Sequence, residues 1–419
     1  MKATLTLLAF LFTVCAAGFA QVVPEATGPG LPVSGNLHFD LRYSETAAFG
    51  GYQDGQQRSY ASGDAGYAND SERLPFTMQY GGGYGWTWAG PPEAGGVFQH
   101  LSLTQGIVGR SWNLTASDNV SYTFETPTTG FSGVPGSGEP IGGSGSTTPP
   151  DQTVLTLNAR TLDNFTTLAA GHRLDFATSL NVGGSSGQLH YIDGNGLDTD
   201  ILMADAGITR RLNARNSLGG QYFFSRYSYS GASSTSSANT APLSFMQVNT
   251  AQLSFIRQWS RQIHTSASAG PQWISSSDST ILPSSTNVAA SASVSDSFRV
   301  GTASLLYSHG VQGGSGYYLG AENDVASADF TRKLGRKATV GVTGSYRRTA
   351  GLNHNGVTNG KYAGAQASRQ LGRDFNVFAN YTALAQSSSS TLSTNALSGL
   401  TQVIGFGIGY SPRGIHLRR

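Results

Sequence analysis

The chain has 419 residues, with 26 Lys+Arg against 24 Asp+Glu, and only 12% of it is charged, about half the share of a soluble domain. A net charge of +2 supplies none of the clustered Lys and Arg that phosphate contacts need, so nucleic acid is excluded as a partner. The 20 Phe, 18 Tyr and 5 Trp exclude a disordered polar chain, which is poor in aromatics, and beyond the N-terminus no apolar run is long enough for a membrane helix.

The N-terminus reads as a secretory leader over 1–20. Lys2 is the positive end, Leu5 to Val14 the apolar stretch, and Gly18-Phe19-Ala20 the small-residue cleavage site before Gln21. The lone Cys15 lies inside it, behind Val14, which is too large for a lipoprotein site. Residues 21–34 are expected to be a periplasmic segment.

From 35 onward the text alternates with period two. Leu37, Phe39, Leu41 and Tyr43 alternate with His38, Asp40 and Arg42. Phe76, Met78, Tyr80, Tyr84, Trp86 and Trp88 share one strand face, while Thr77, Gln79, Gly81, Gly83 and Gly85 share the other. Ile404, Phe406, Ile408 and Tyr410 alternate with glycines. This is the pattern of sheets that are apolar on one face. Short polar turns, among them Ala169–Gly171, Arg211–Arg215, Gln258–Arg261, Ser295–Ser297, Lys333–Arg336 and Gln370–Arg373, alternate strictly with longer Gly/Ser-rich connections, the longest at 125–151.

Short turns on one side and long loops on the other are the habit of transmembrane barrels. The prediction is therefore an all-β fold, a transmembrane antiparallel β-barrel of about 18 strands over 35–411, with short periplasmic turns and longer extracellular loops. A short basic tail, 412–419, follows. Sixteen strands is the other count, because 45–74 and 277–298 are weakly patterned. Two soluble β-sandwiches would share the alternation but not the loop asymmetry.

The phrases "RLPFTMQYGGGYGWTWAG", "GFSGVPGSGEPIGG" and "VIGFGIGYSPR" resemble those of uncharacterised bacterial outer-membrane β-barrel, porin-like proteins. The resemblance implies a fold and a location, the cell outer membrane of a Gram-negative bacterium, and brings no catalytic or binding residue with it. Gly405, Ile408 and Tyr410 resemble the last-strand signal read by the barrel-assembly machinery. Val403 and the nine residues after Tyr410 depart from that pattern.

With the apolar face on lipid, the opposite face lines the lumen. The pore-lining candidates are His38, Asp40, Arg42, Arg160, Arg173, Asp175, Asp205, His264 and Arg347. Such charges tune selectivity in a pore, or pair to fill a closed interior. Asp118 conflicts with its face, shared with Trp112, Leu114, Val120 and Tyr122, and a bulge would remove the conflict. Asp193, Asn195, Asp198 and Asp200 in "DGNGLDTD" offer hard oxygen ligands for Ca²⁺. The run is not an EF-hand, since Leu197 takes the fifth position, and turn chemistry is the plainer explanation. Eight scattered histidines show no metal or triad spacing, so no enzyme and no cofactor are expected. Aromatics near strand ends, including Trp86, Trp88, Trp112, Tyr227, Tyr229, Trp259, Trp273 and Tyr318, are expected to form interfacial girdles. Phe378 stands as an isolated inward aromatic. The expected function is porin-like passive diffusion of small polar solutes, with membrane lipid as the surrounding partner. The alternative is a structural or surface-interaction barrel with a plugged lumen.

Overall fold

The computed structural model describes residues 36–51, 55–69, 71–89, 95–125, 159–192, 198–230, 245–313, 318–353, 356–389 and 398–416. The expected leader 1–20, the segment 21–34 and the loop residues 126–151 lie outside them, as do Asp193 and Asn195.

Every long regular element among the described residues is a strand. The first six are β1 Asn36–Phe49, β2 Gln57–Asn69, β3 Phe76–Ala89, β4 Gly96–Val108, β5 Trp112–Glu125 and β6 Ala159–Arg173. Next come β7 Thr178–Tyr191, β8 Asp198–Arg211, β9 Asn216–Ser230, β10 Phe245–Gln258, β11 Ile263–Ser276 and β12 Ser285–Phe298. The last six are β13 Gly301–Gln312, β14 Ala321–Leu334, β15 Ala338–Gly351, β16 Val357–Leu371, β17 Phe375–Ser388 and β18 Gly399–Tyr410. Each pairs antiparallel with its neighbours in sequence, and β18 pairs with β1 from Leu41↔Tyr410 to Phe49↔Gln402. The barrel is thus closed at eighteen strands. A two-residue β19, Ile415–His416, pairs with Leu37 and Asn36, so part of the expected tail is strand edge.

Closure follows from the setting. In lipid each backbone N–H and C=O needs an internal partner, so a spanning sheet has no free edge. A strand of 14 residues, such as β3, is about 45 Å long. Tilted at roughly 40°, it rises well over the ~25 Å apolar belt of such barrels.

The ladders settle the faces, because paired residues share one. Leu41, Leu253, Leu305, Val342 and Phe406 point outward, and all five are more than half exposed. A soluble barrel of this size would not leave such a belt to water. Lipid covers it here. The buried apolar residues, Tyr60, Phe98, Tyr227, Met246, Val248 and Ile274 among them, lie on the inner face.

Turns are built by single residues. Asp175 Oδ1 accepts from Ala177 N (2.6 Å) and Thr178 N (2.7 Å). Asn213 does the same for Arg215 and Asn216, both at 2.9 Å, and Ser260 for Gln262 and Ile263 at 3.1 and 3.0 Å. Gly335 and Gly372 take positive φ (72° and 71°) in the two "LGR" turns. The turn expected at Ala169–Gly171 is corrected: β6 runs straight through it to Arg173, and the chain reverses at 174–177. Gly171 is a wall residue facing Asn181, and Asp175 makes the turn. The turn expected at Ser295–Ser297 likewise falls at 299–300, because the alternating serines of β12 extend the ladder to Phe298.

Girdles form on the outside. Tyr43, Tyr84, Trp86 and Trp88 stack at the loop end, with ring centroids 6.1–6.4 Å apart. Phe375 packs on Tyr410 (5.1 Å), and Arg257 lies 3.7 Å above the Trp259 ring at the turn end. Tyr227, Tyr229 and Tyr318 depart from the girdle expectation. They are buried, and the first two sit on the inner face.

Candidate lumen site

Two different walls line the interior. The first belongs to β1–β4 with β17 and β18. Arg42 Nη2 donates to Asp40 (2.9 Å) and Nη1 to Asp64 (2.7 Å), with only 5% of the arginine side chain exposed. Asp64 pairs across the sheet with Gly81, and Gly81 with His100. A Cβ at Gly81 would strike both the Asp64 carboxylate and the His100 ring. Glycine here lets the two groups lie flat on the wall, side by side. Arg58 is buried above them and donates to Gln56 at 2.7 Å.

The same device holds an aromatic patch. Tyr60, Phe98 and Phe378 pack together. The Phe378 ring lies over Gly407 and the Phe98 ring over Gly83, so a Cβ at either glycine would meet the ring. Each glycine is the direct cross-strand partner of the aromatic it carries. Phe378 is therefore one of three rings in this inward patch. His100, Tyr60 and Phe98 were missed because their strands read as apolar-outward text with unremarked residues between. The signal was there: a large inward residue opposite a glycine.

The second wall, on β10–β12, carries no charge through its middle. Ser266 and Ser293 share a hydrogen bond (2.7 Å), as do Ser268 and Ser291 (2.8 Å). Ser268 donates to Gln252 (3.1 Å) and Gln272 to Thr250 (3.1 Å). Inward hydroxyls and amides satisfy one another there and still present lone pairs to water.

Above this wall the interior is filled. Tyr227, Tyr229, Met246, Val248, Ile274, Leu282 and Val311 form one buried cluster, with Leu319 and Leu352 packed against it. Val311 comes from the loop end of β13, which reaches inside the barrel. Tyr229 Oη donates to the Gly313 carbonyl (3.1 Å), although β10, β11 and β12 stand between β9 and β13. Tyr318, from the same connection, is buried and bonded to Thr358 of β16 (2.9 Å).

The sequence-derived candidates distribute as follows. Asp40 and Arg42 come together, as above. His38 faces inward at the turn end, against Gly414. Asp205 faces inward and lies over Gly183. Arg173, His264 and Arg347 hold inward register positions. Two placements are corrected. Arg160 shares the outer face of Leu162 and Leu168 and pairs with Phe124. Asp175 is the exposed turn residue, its carboxyl held below the usual range by the Ala177 and Thr178 backbone N–H groups, with Arg210 adding to this. The Asp175 error traces to the misplaced turn, while Arg160 is outward by its parity with Leu162 and Leu168. Asp118 remains outward with unbroken ladders on both sides, so no bulge relieves it. Instead Thr166 Oγ1 (2.6 Å) and Asn164 Nδ2 (3.3 Å) donate to its carboxylate.

Of the Ca²⁺ candidates, Asp198 Oδ2 lies 2.7 Å from His190 Nδ1, and its Oδ1 accepts from Tyr191 N at 2.9 Å. Asp200 faces outward opposite Gln188. The one set of three potential ligands among the described residues is elsewhere, at His309, Glu322 and Asp324. Its carboxylates are already engaged. Asp324 holds His309 Nδ1 (2.8 Å), and Arg348 lies 3.5 Å from it. Glu322 accepts from Asn287 (3.0 Å).

A closed eighteen-strand barrel with a lipid-facing apolar belt and an interior of paired polar groups defines a transmembrane barrel of the outer-membrane type. No family model matches the chain, and no curated protein sequence matches it. Among solved structures it is similar to Pseudomonas aeruginosa OccK2 (OpdF), at 10% identity and a TM-score of 0.45, covering 90% of this chain and 97% of that one. Pseudomonas aeruginosa OpdK with vanillate gives 10% identity and 0.44, covering 90% and 98%. OpdQ of the same organism gives 9% and 0.42, covering 90% and 98%.

Proposed function

We propose that the barrel is a channel for passive diffusion of small polar solutes across the outer membrane. The supporting observation is the way inward side chains are laid down. Asp64, His100, Phe98, Phe378 and Asp205 each lie flat over a cross-strand glycine, and the opposite wall is a sheet of paired hydroxyls and amides. Side chains arranged this way leave the axis of a wide barrel to water. Arg42 is paired through both terminal nitrogens with carboxylates, and the Ser/Gln wall offers neutral donors and acceptors. This favours uncharged hydroxylated solutes. The Asp40–Arg42–Asp64 cluster, with Asp205, His264 and Arg347, would set what charge selectivity remains. We place the signal for the assembly machinery on β18, whose Phe406, Ile408 and Tyr410 face lipid.

Single-channel recording in a planar bilayer tests the channel. Steady steps proportional to salt are expected, together with swelling of loaded liposomes in small neutral sugars. Well-folded protein that is silent in both assays would sink the reading. It would leave a plugged structural barrel, the alternative favoured by the apolar cluster around Val311.

A further inference from the structure

The ladder between β12 and β13 stops early. Its pairs run from Phe298↔Gly301 only to Ala290↔His309. Yet β11 holds β12 as far as Ser285, and β14 holds β13 as far as Gln312. Residues 285–289 therefore lack a β13 partner, as residues 96–98 of β4 lack a β5 partner, but here the unpaired strand end has gone inward. Past His309 the described residues 310–313 have stepped inside the barrel, where Val311 joins the inner cluster and Gly313 lies on Tyr227.

The tucked position is well fitted. Gln272 replaces the lost ladder: its Oε1 accepts from Val311 N (2.9 Å), and its Nε2 donates to Val311 O (3.4 Å). Gly313 lies on the Tyr227 ring where any Cβ would collide, and Gly320, with φ of 88°, sits against Met246. Asn287, left unpaired by β13, donates to Glu322.

The wall position is equally well written into the sequence. Continuing the register from Ala290↔His309 sets Val288 opposite Val311 and Asn287 opposite Gln312. Val288 already faces outward and is 55% exposed, and Val311 would join it on lipid, extending the outward series Leu305, Tyr307, His309. Asn287 and Gln312 would both face the lumen. Val288 and Val311 would thus share the outer face and Asn287 and Gln312 the inner one, with Glu322, the β14 partner of Val311, facing out at the loop-end rim.

We propose that the loop end of β13, residues 310–313, with its paired residues 321–323 of β14, is a two-position gate. Tucked, it is strapped by Gln272 and narrows the lumen. Zipped onto 285–289 of β12, it rejoins the wall and widens the lumen. The gate rests on the channel reading above.

A cysteine pair tests it. In a Cys15→Ser background, Asn287→Cys with Gln312→Cys would stand directly opposite in the zipped register, close enough to bridge. Oxidation is expected to form the intramolecular disulfide, seen by mass, and to raise the conductance step, with a reductant reversing both. A second variant, Gln272→Leu, removes the strap without any cross-link. It should lengthen open time about tenfold, the factor expected for losing one or two buried hydrogen bonds. Heat-modifiable migration on gels confirms that each variant is folded. Failure of the disulfide to form while the wild type conducts would overturn the gate and leave the channel intact. A disulfide that forms without changing the step would also overturn it. Silence of wild type, cross-linked and Gln272→Leu barrels alike would instead remove the channel reading, and the gate with it.

Discussion

The wall on β1–β4 and the wall under the tucked hairpin meet the same problem in opposite ways. Both must place large or charged side chains inside a barrel without leaving polar groups unpaired. On β1–β4, β17 and β18 glycines clear the wall, so that Asp64, His100, Phe98 and Phe378 lie flat against it. On β9–β12 Tyr227, Met246, Val248 and Ile274 project inward, and a strand end moves in to cover them. Glycine opposite a bulky residue lets that residue lie against the wall. A bulky residue opposite another bulky residue invites a plug.

Breaking the open wall is expected to have the largest effect. A Cβ at Gly407 would meet the Tyr43 backbone oxygen at 2.5 Å as well as the Phe378 ring. Both lie at the seam where β18 closes on β1. Gly407→Leu should cost about 3 kcal/mol, read as loss of the heat-modifiable folded band or a large fall in the urea midpoint. Retention of wild-type stability would show that the rings do not need the vacancy. Arg42→Met comes next. It strands two carboxylates in a site where the arginine is almost wholly buried, and about 3 kcal/mol of destabilisation is expected. The surviving channels should shift their reversal potential toward cation selectivity under a salt gradient. An unchanged potential would remove the cluster from the conduction path.

Gly313→Val acts on the other wall with little effect on stability. A side chain there cannot lie on Tyr227, so a larger conductance step is expected in bilayer recordings. An unchanged step would mean that the hairpin end does not limit the lumen. The smallest effect belongs to the turns. Asp175 has its carboxyl held low by backbone N–H groups. Its contribution is therefore full above the unfolded carboxyl value of about 4 and is lost as pH falls through the lower folded one. Asp175→Ala should lower the unfolding midpoint slightly at neutral pH and not at all in strong acid, while Asp175→Asn keeps the turn. A pH-independent difference would contradict the capping role.

Much of this could be read from the chain. Leu37 to Tyr43 and Ile404 to Tyr410 alternate cleanly because lipid tolerates only one kind of face, and the two runs lie in β1 and β18. Asp40 and Arg42 were placed inward by parity alone. What was misread has one recurring cause: a residue type with two uses. Gly171 resembles a turn glycine such as Gly335, but it is a wall glycine, and taking it for a turn moved Asp175 out of the turn it makes. Tyr227 and Tyr229 stand near a strand end as girdle residues do, yet their parity turns them inward. His100 carries no motif. Only its cross-strand neighbour Gly81, and Asp64 beyond, gives it a place.

The sequence by itself determined the barrel and its lipid face, and brought the strand number to sixteen or eighteen; the closing ladder between β18 and β1 decided it. The barrel and its lipid face depend on period-two alternation and turn chemistry, which act between residues close along the chain. Only the tertiary structure decided what fills the lumen. Whether Val311 faces lipid beside Val288 or packs on Ile274 is a choice between two positions with the same local pattern. It is made by Gln272, Tyr227 and Met246, contacts from strands that stand beyond β13's own neighbours around the barrel and that no local pattern along the chain encodes.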